Sequence, residues 1–481
     1  MSTALRTLID RVRQAPDGPQ VAAVFDYDGT LIDGFSGVSF IREQFRRRQL
    51  GPTGAARIAQ AAIRGVRTPE EFADFLGWSL EAYAGRSTED LSSTSQTVFD
   101  DDIARRLRPE TWALLETHRA KGHTLILASS GTSLQLGAIA KATEIQHVIC
   151  TQLEFVDDTM TGHVVGQAPW GPFKAEEVTA LVKELGADLS QSFAYSDGDE
   201  DIPLLAAVGH PTAVQPRPEL RREAGSHNWP VLHCRSVGGS VPLTSPARTV
   251  ALYSGFASGT AMAGPVGLVQ RSTRAFIDTA IGLASDLGLG LGGVGVQVVS
   301  GREHLSRARP CVFIFNHRSN LDAIVLMNLL RHDITAVAKQ SVANIPGFGQ
   351  LFKMADVAFI DRANSAQARE AIQPAIEKVR TEGLSLVLAP EGTRWATPGL
   401  GPFKKGAFHI ARQAGVPVVP IVMAGTGECL PKGTQLVRPG PVRVAILPPI
   451  DVSAWAPERM TDQIAALRQT MLETLIDLIA G

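Results

Sequence analysis

At 481 residues the chain is longer than one hydrophobic core usually organises, so two or three domains are expected. Lys plus Arg total 46 against 48 Asp plus Glu, a formal net charge of -2 that gives no support for nucleic-acid binding but leaves local basic patches free to meet anionic lipid. The cysteines Cys150, Cys234, Cys311 and Cys429 form no CxxC pair, which argues against disulfides and zinc and fits a reducing cytosolic setting.

In chain order, residues 1–19 lack an apolar stretch of signal-peptide length and read as a short amphipathic or disordered lead-in. QVAAVFD at 20–26 suits a buried strand, residues 34–120 look mainly helical, and HTLILASS (123–130), FAYSD (193–197) and WPVLHC (229–234) supply further strands. Apolar strands alternating with helices predict a mostly parallel, Rossmann-like sheet over 20–234. The insertion at about 34–110 is expected to form a helical cap over the strand ends, where open α/β sheets bind ligands.

RSVGGSVPLTSPAR at 235–248 reads as a linker. Residues 249–270 then run 22 positions without a charge, and a second apolar stretch runs from Ile281 to Ser300, interrupted by Asp286. A membrane-embedded or interfacial helix pair is the favoured reading of 249–300; a buried helical hairpin and a single span remain open. From 301 to 481 the α/β character returns in CVFIFNHRSNLD, ITAVAKQ, VAFIDRAN, LSLVLAPEGTR and VPVVPIVMAG, separated by helical segments. No internal repeat is evident, so the chain is read as two different α/β domains.

FDYDGT places Asp26 and Asp28 where the first strand gives way to a glycine turn. Such a turn can aim two carboxylates into one pocket and offer backbone N–H groups to an anion. One carboxylate can attack phosphorus while the other shuttles a proton to the leaving alcohol. Acids beside phosphate call for positive charge, met by a lysine and a divalent cation, and oxygen ligands favour Mg2+. Ser129 in LILASS, Lys174 in GPFKAEEV, and Asp197 and Asp201 in SDGDED complete the set. Together, in this order, they resemble the haloacid-dehalogenase-like phosphatases, in particular the phosphoserine-phosphatase-like branch (subfamily IB), over about 20–234. The resemblance implies Asp26 as nucleophile, Asp28 as general acid/base, Ser129 as phosphate ligand and Lys174 as the cation beside the phosphoaspartate. It also implies Mg2+ held by Asp26, Asp28 and Asp197, with Asp201 supporting that site. Gly198 departs from the pattern, in which a serine or aspartate often follows the first aspartate of that motif. The arginines Arg46, Arg47 and Arg48 read as a solvated helix face, with an anion contact as the other reading.

In NHRSNLD, His317 and Asp322 lie five positions apart. If a strand ends at Asn316 and a helix begins near Leu321, the turn brings the acid to the imidazole, fixing its tautomer so that the other nitrogen can take a hydroxyl proton. FIDR adds Asp361 and Arg362, PEGTR adds Glu391, Gly392, Thr393 and Arg394, and VPVVPI adds Pro420. Arginines at strand ends can grip a phosphate with paired hydrogen bonds. Lys404 and Lys405 read as solvated or headgroup-facing.

This four-part set, over about 300–445, resembles the 1-acylglycerol-3-phosphate acyltransferases of the glycerolipid acyltransferase superfamily. By that resemblance His317 is the base, Asp322 orients it, and Arg362, Glu391, Gly392, Thr393 and Arg394 belong to the acceptor-phosphate site. Glu391, an anion, is expected to order an arginine or the glycine turn rather than touch phosphate. Trp395 after EGTR and MADVA before FIDR depart from the family pattern, which bears on acceptor and acyl-chain specificity.

The expected enzyme is therefore bifunctional. One half acylates lysophosphatidic acid to phosphatidic acid with acyl-CoA, acyl carrier protein being the competing donor. The other hydrolyses a phosphomonoester with Mg2+, and the fusion suggests a lipid phosphate such as phosphatidic acid. Two alternatives stand for the phosphatase half: a small soluble phosphomonoester such as phosphoserine, or a non-catalytic regulatory or dimerisation module. The expected partners include the membrane surface, met peripherally or monotopically at the cytoplasmic face of the cell membrane, and a homodimer is an assembly the sequence permits.

Overall fold

A computed structural model describes residues 2–49, 68–237, 242–340, 343, 348–355, 357–360 and 365–481. The chain divides into two units, residues 1–239 and 240–479.

In the first unit, β1 (Ala22–Phe25), β2 (Thr124–Thr132), β3 (His147–Val156), β4 (Thr159–Val165), β5 (Phe193–Ser196), β6 (His210–Val214) and β7 (Val231–Leu232) form one sheet in the order β4-β3-β2-β1-β5-β6-β7. All neighbours run parallel except β3 and β4. AAVF is buried at every position, as expected of a central parallel strand covered on both faces. Phe25 stands level with Leu127 and Tyr195, so Asp26, Ser129 and Asp197 leave the sheet at the same end. Above that end lie the helices Ser36–Arg46, Pro69–Leu80 and Thr88–Asp101, which belong to the expected cap; its residues 50–67 lie outside the described residues.

The lead-in takes the amphipathic of its two readings, as an ordered helix, Ser2–Gln14, with Leu5, Leu8, Ile9 and Val12 buried on one face at helical spacing. Several features differ from the sequence reading. The β3–β4 hairpin and β6 were not predicted, and WPVLHC contributes only two strand residues. Arg46 and Arg47 are held by Glu43, so their charge is largely answered within their own helix. Of the expected linker, Ser236 and Val237 are hydrogen-bonded to the Asp33 carboxylate and Arg235 to Glu110, while a helix already begins at Ser245.

In the second unit the charge-free run 249–270 is not one helix. Pro265 lacks an N–H to continue the ladder, and the chain forms Ser245–Met262, then Gly264–Gln270, then Thr273–Gly292. Among the described helices, Thr273–Gly292 alone reaches the length and hydropathy of a membrane span, and half of its most apolar window is buried. It packs tightly on Ser245–Met262 through glycines. A Cβ on Gly259 would lie 2.5 Å from the backbone of Leu283 and Ala284, and one on Gly255 2.7 Å from Leu287 O. Val250, Met262, Leu268 and Val269 of this region are exposed.

The apolar helical region also ends earlier than expected. Gly293 closes the helix at φ +76°, and Val294–Ser300, whose valines suit an extended backbone, is strand β8. With β9 (Val312–Phe315), β10 (Ile334–Lys339), β11 (Ala358–Ile360), β12 (Ser385–Leu388), β13 (Val418–Ala424) and β14 (Gly440–Ile446) it forms a sheet ordered β11-β10-β12-β9-β13-β14-β8. Only β13 and β14 run antiparallel. VFIF of β9 is buried throughout and ends at Asn316.

The glycine contact is testable. Gly259→Val should lower the melting temperature, since overpacking against backbone costs about 1–3 kcal/mol. Gly290→Ala, on the same helix pair but with nothing within 4 Å of its added carbon, should leave it unchanged or raise it. Thermal unfolding of the two variants side by side gives the comparison.

Candidate active sites

The first unit gathers its acids around one buried cation. Asp26 directly follows β1, and its N–H donates to Tyr195 O at 3.0 Å. Lys174, in the first turn of helix Pro172–Glu184, is 2% exposed. Its Nζ lies 2.7 Å from Asp26 Oδ1 and 2.7 Å from Asp201 Oδ2. Asp201 Oδ2 also accepts from Ser196 Oγ at 2.5 Å. Asp28 accepts from the N–H of Ser36 at 2.6 Å and its hydroxyl at 3.0 Å, and Gln135 Nε2 donates to that hydroxyl at 3.2 Å. Buried Ser129 accepts from Gly131 N–H at 3.0 Å. Gly29 sits at φ +79°, and any Cβ there would overlap the Asp197 carboxylate, so the glycine turn and Asp197 lie against each other. Gly198 has an ordinary extended φ, and a Cβ there would meet only the end of the Glu200 side chain.

Burial lifts the carboxyls of this site. It holds Asp26 well above the usual carboxylate range despite Lys174, and pushes Asp28 up to about 6. Asp197 is pushed up to about 7 by burial, which neighbouring acids reinforce against Arg217. For Lys174 burial works the other way but is outweighed by Asp201 and Asp26, which raise it. Four carboxylates thus meet Lys174 inside and Arg217 at the rim, 3.6 Å from Asp197. That excess of oxygen donors and negative charge fits a hard divalent cation such as Mg2+. Among the described residues no three acidic, His or Cys groups are yet gathered closely enough to hold one: Asp28 is engaged by Ser36 and Asp197 faces Arg217.

The second unit builds its site at the end of β9. Asn316 locks the strand end to β13 by exchanging two hydrogen bonds with Met423, at 2.7 and 2.8 Å. The next residue, His317, directs Nδ1 at Asp322 Oδ2, 2.7 Å away in the first turn of helix Leu321–Leu330. Asp322 is fully buried, and the same oxygen accepts the N–H groups of Arg318 (2.8 Å) and Ser319 (2.9 Å). With Nδ1 engaged, Nε2 of the partly exposed imidazole remains as a proton acceptor.

Glu391 braces this turn from below. Its two oxygens accept His317 N–H and Gly401 N–H, each at 2.8 Å, and Trp395 N–H donates to His317 O at 2.8 Å. It orders backbone rather than an arginine, in keeping with the expectation that it supports the site instead of touching phosphate. Burial pushes its carboxyl up to about 7. Gly392 has φ +71°. Thr393 is exposed, Arg394 is half-buried with its carbonyl 3.3 Å from Lys432 Nζ, and Lys404 and Lys405 are exposed. Asp361 and Arg362 lie outside the described residues.

Sequence reasoning missed Ser36, Gln135 and Ser196, which carry no local signal because the fold alone brings them to the acids. Asn316 was within reach, since a polar residue ending a fully apolar strand must find partners.

The comparisons follow the same division. A haloacid dehalogenase-like hydrolase family model matches residues 23–206, and an acyltransferase family model matches 297–424. The 1-acyl-sn-glycerol-3-phosphate acyltransferase of Limnanthes alba is 36% identical over 177 residues, 37% of this chain and 62% of the relative. The protein of that name from Haemophilus influenzae is 31% identical over 182 residues, 38% of this chain and 74% of the relative. The chain thus spans less than two thirds of the Limnanthes protein. The crystal structure of the 1-acyl-sn-glycerophosphate acyltransferase from Thermotoga maritima is 23% identical with a TM-score of 0.42, covering 49% of this chain and 98% of that one.

The Glu391 brace carries a pH signature. A carboxyl raised by burial from 4.5 to about 7 contributes stability that is complete below the unfolded value and lost as pH rises through about 7. Glu391→Gln surrenders one accepted hydrogen bond, about 1–3 kcal/mol, but does not titrate. The melting-temperature gap between wild type and Glu391→Gln should therefore narrow from pH 5 to pH 8. A gap that stays constant would show that Glu391 does not titrate in this window.

Proposed function

The chain belongs, through its second unit, to the 1-acyl-sn-glycerol-3-phosphate acyltransferase family, and from this we propose that it acylates the sn-2 hydroxyl of 1-acyl-sn-glycerol-3-phosphate, giving phosphatidic acid. The supporting observation is the His317–Asp322 pair, 2.7 Å apart with the acid fully buried. His317 Nε2 takes the proton of the acceptor hydroxyl as its oxygen attacks the thioester carbonyl of acyl-CoA. The tetrahedral centre collapses, the C–S bond breaks, and the thiolate recovers the proton from the imidazolium. Asp322 holds the tautomer and stabilises the transient charge. Arg394 and Arg362, with Gly392 and Thr393, take the acceptor phosphate. The exposed apolar side chains of the helices before β8 support action at a membrane surface, entered peripherally or monotopically from the cytoplasmic face.

The first unit, haloacid-dehalogenase-like, hydrolyses a phosphomonoester. A carboxylate oxygen of Asp26 attacks phosphorus and the ester oxygen leaves with a proton from Asp28. The same carboxylate then takes a proton from the water that opens the phosphoaspartate. Burial raises the Asp28 carboxyl, the direction that favours holding a proton for the leaving oxygen. Ser129 hydrogen-bonds the phosphoryl oxygens and Lys174 offsets their charge. Asp26, Asp28 and Asp197 would hold Mg2+, supported by Asp201, and the cation would neutralise charge on the phosphoryl group.

Radiolabelled lysophosphatidic acid with acyl-CoA, compared across variants, tests both assignments. His317→Ala should lower acyl transfer at least about 100-fold while leaving phosphomonoester hydrolysis intact. Asp26→Asn should do the reverse, and chelating Mg2+ should silence only phosphate release. Acyl transfer that survives in His317→Ala, or phosphate release that survives in Asp26→Asn, would overturn the corresponding assignment.

A further inference from the structure

The cap of the first unit holds a small, partly open cavity of about 50 Å³. Its walls come from helices Ser36–Arg46 and Pro69–Leu80, the Tyr83 turn and the segment Ser130–Gln135 at the end of β2. Phe35, Phe40, Phe72, Phe75, Leu76 and Leu134 make it largely aromatic and aliphatic, and among the described residues none that lines it carries a charge.

Its position ties it to the phosphate chemistry. Ser130 and Gly131 follow Ser129 directly, and Gln135 connects through Ser36 to Asp28, the residue assigned to protonate the leaving alcohol. The cavity therefore begins where the leaving group departs. The polar atoms at this end are already committed: Gln135 Oε1 accepts from Thr132 N–H at 2.7 Å and Nε2 donates to Ser36 Oγ. The nearby cap charges are paired with one another, Arg46 and Arg47 on Glu43 and Arg106 on Asp102. Phe35, 41% exposed, stands at the opening.

Resting on the phosphoaspartyl reading above, we infer that this site hydrolyses phosphomonoesters of apolar alcohols and seats their hydrocarbon in the cap cavity. An amino-acid leaving group would bring an ammonium and a carboxylate against walls that, among the described residues, offer neither an opposite charge, an unfavourable burial. A hydrocarbon chain meets a wall on which phenylalanine, leucine and isoleucine side chains predominate. In the transfer, the P–O bond to the alcohol breaks as the Asp26–phosphorus bond forms, Asp28 supplies the proton, and water later releases phosphate. The alcohol leaves through the cavity mouth.

The test measures kcat/KM of the full chain with Mg2+ for ethyl, butyl and octyl phosphate below micelle formation, for O-phosphoserine and for p-nitrophenyl phosphate. Each buried methylene should raise kcat/KM roughly threefold to fourfold, so burial of only two of the six extra methylenes puts octyl about tenfold above ethyl phosphate, the least gain expected. Phosphoserine should do no better than ethyl phosphate. Leu76→Gln should shrink the octyl-to-ethyl ratio at least about fivefold, a ratio that is insensitive to how much protein is folded. Calorimetric binding to Asp26→Asn should show the same chain-length order without turnover. A flat series, or preference for phosphoserine, in an enzyme that turns over p-nitrophenyl phosphate would overturn the apolar assignment and leave phosphoaspartyl chemistry standing. No turnover of any ester while acyl transfer persists would overturn both.

Discussion

Four apolar residues in a row, Ala22–Phe25 in one unit and Val312–Phe315 in the other, fill the middle of a seven-stranded sheet and are buried on all sides. Such a strand tolerates no polar group until the sheet ends, and the first polar residue beyond it is delivered to the carboxyl edge. In the first unit that residue is Asp26, and in the second it is Asn316, followed at once by His317. Parallel pairing then brings neighbouring strand ends to the same level, so that groups far apart in sequence share one pocket.

The two pockets solve opposite electrostatic problems. The first holds several carboxylates with too little positive charge, and burial raises them while Lys174 spans Asp26 and Asp201. Such a site gains from a ligand that brings cations and takes up the attacking oxygen. The second holds one dominant acid, Asp322, whose charge is answered by two backbone N–H groups and an imidazole. All three meet the same oxygen, Oδ2, while the buried Oδ1 has no hydrogen-bond partner among the described residues. The first unit thus depends on what it binds, and the second on a turn whose shape Glu391 maintains from beneath.

Legibility followed the range of the interactions. The central strands were readable because burial on both faces leaves an unbroken apolar run. The His317–Asp322 pairing was readable because one turn spans it. The contact of Lys174 with Asp26 joins residues 148 positions apart, and only the resemblance, not spacing, put them together. Ser36 and Gln135 were invisible because their place depends on how the cap settles. The β3–β4 hairpin carried a local signal that went unused: Asp157 and Asp158 both take positive φ, which aspartate tolerates in a two-residue turn. Residues 294–300 were misread because valine and glycine are as apolar in a helix as in a strand, and only the helix stop at Gly293 separates the two.

The first helix and the phosphate site belong to one hydrogen-bonded line. His123 Nε2 meets Pro16 O at 2.8 Å, its Nδ1 meets His118 Nδ1 at 2.7 Å, and His118 Nε2 meets the Tyr195 hydroxyl at 2.8 Å. Tyr195 in turn receives the Asp26 N–H through its carbonyl. Every link lies in or against the core, and burial keeps His118 neutral. The segment before Asp17, which reads as a lead-in on paper, is thus linked through two histidines to the tyrosine that pairs with Asp26. A change at Pro16 or His123 therefore touches the same run of buried contacts that seats Tyr195 beside Asp26.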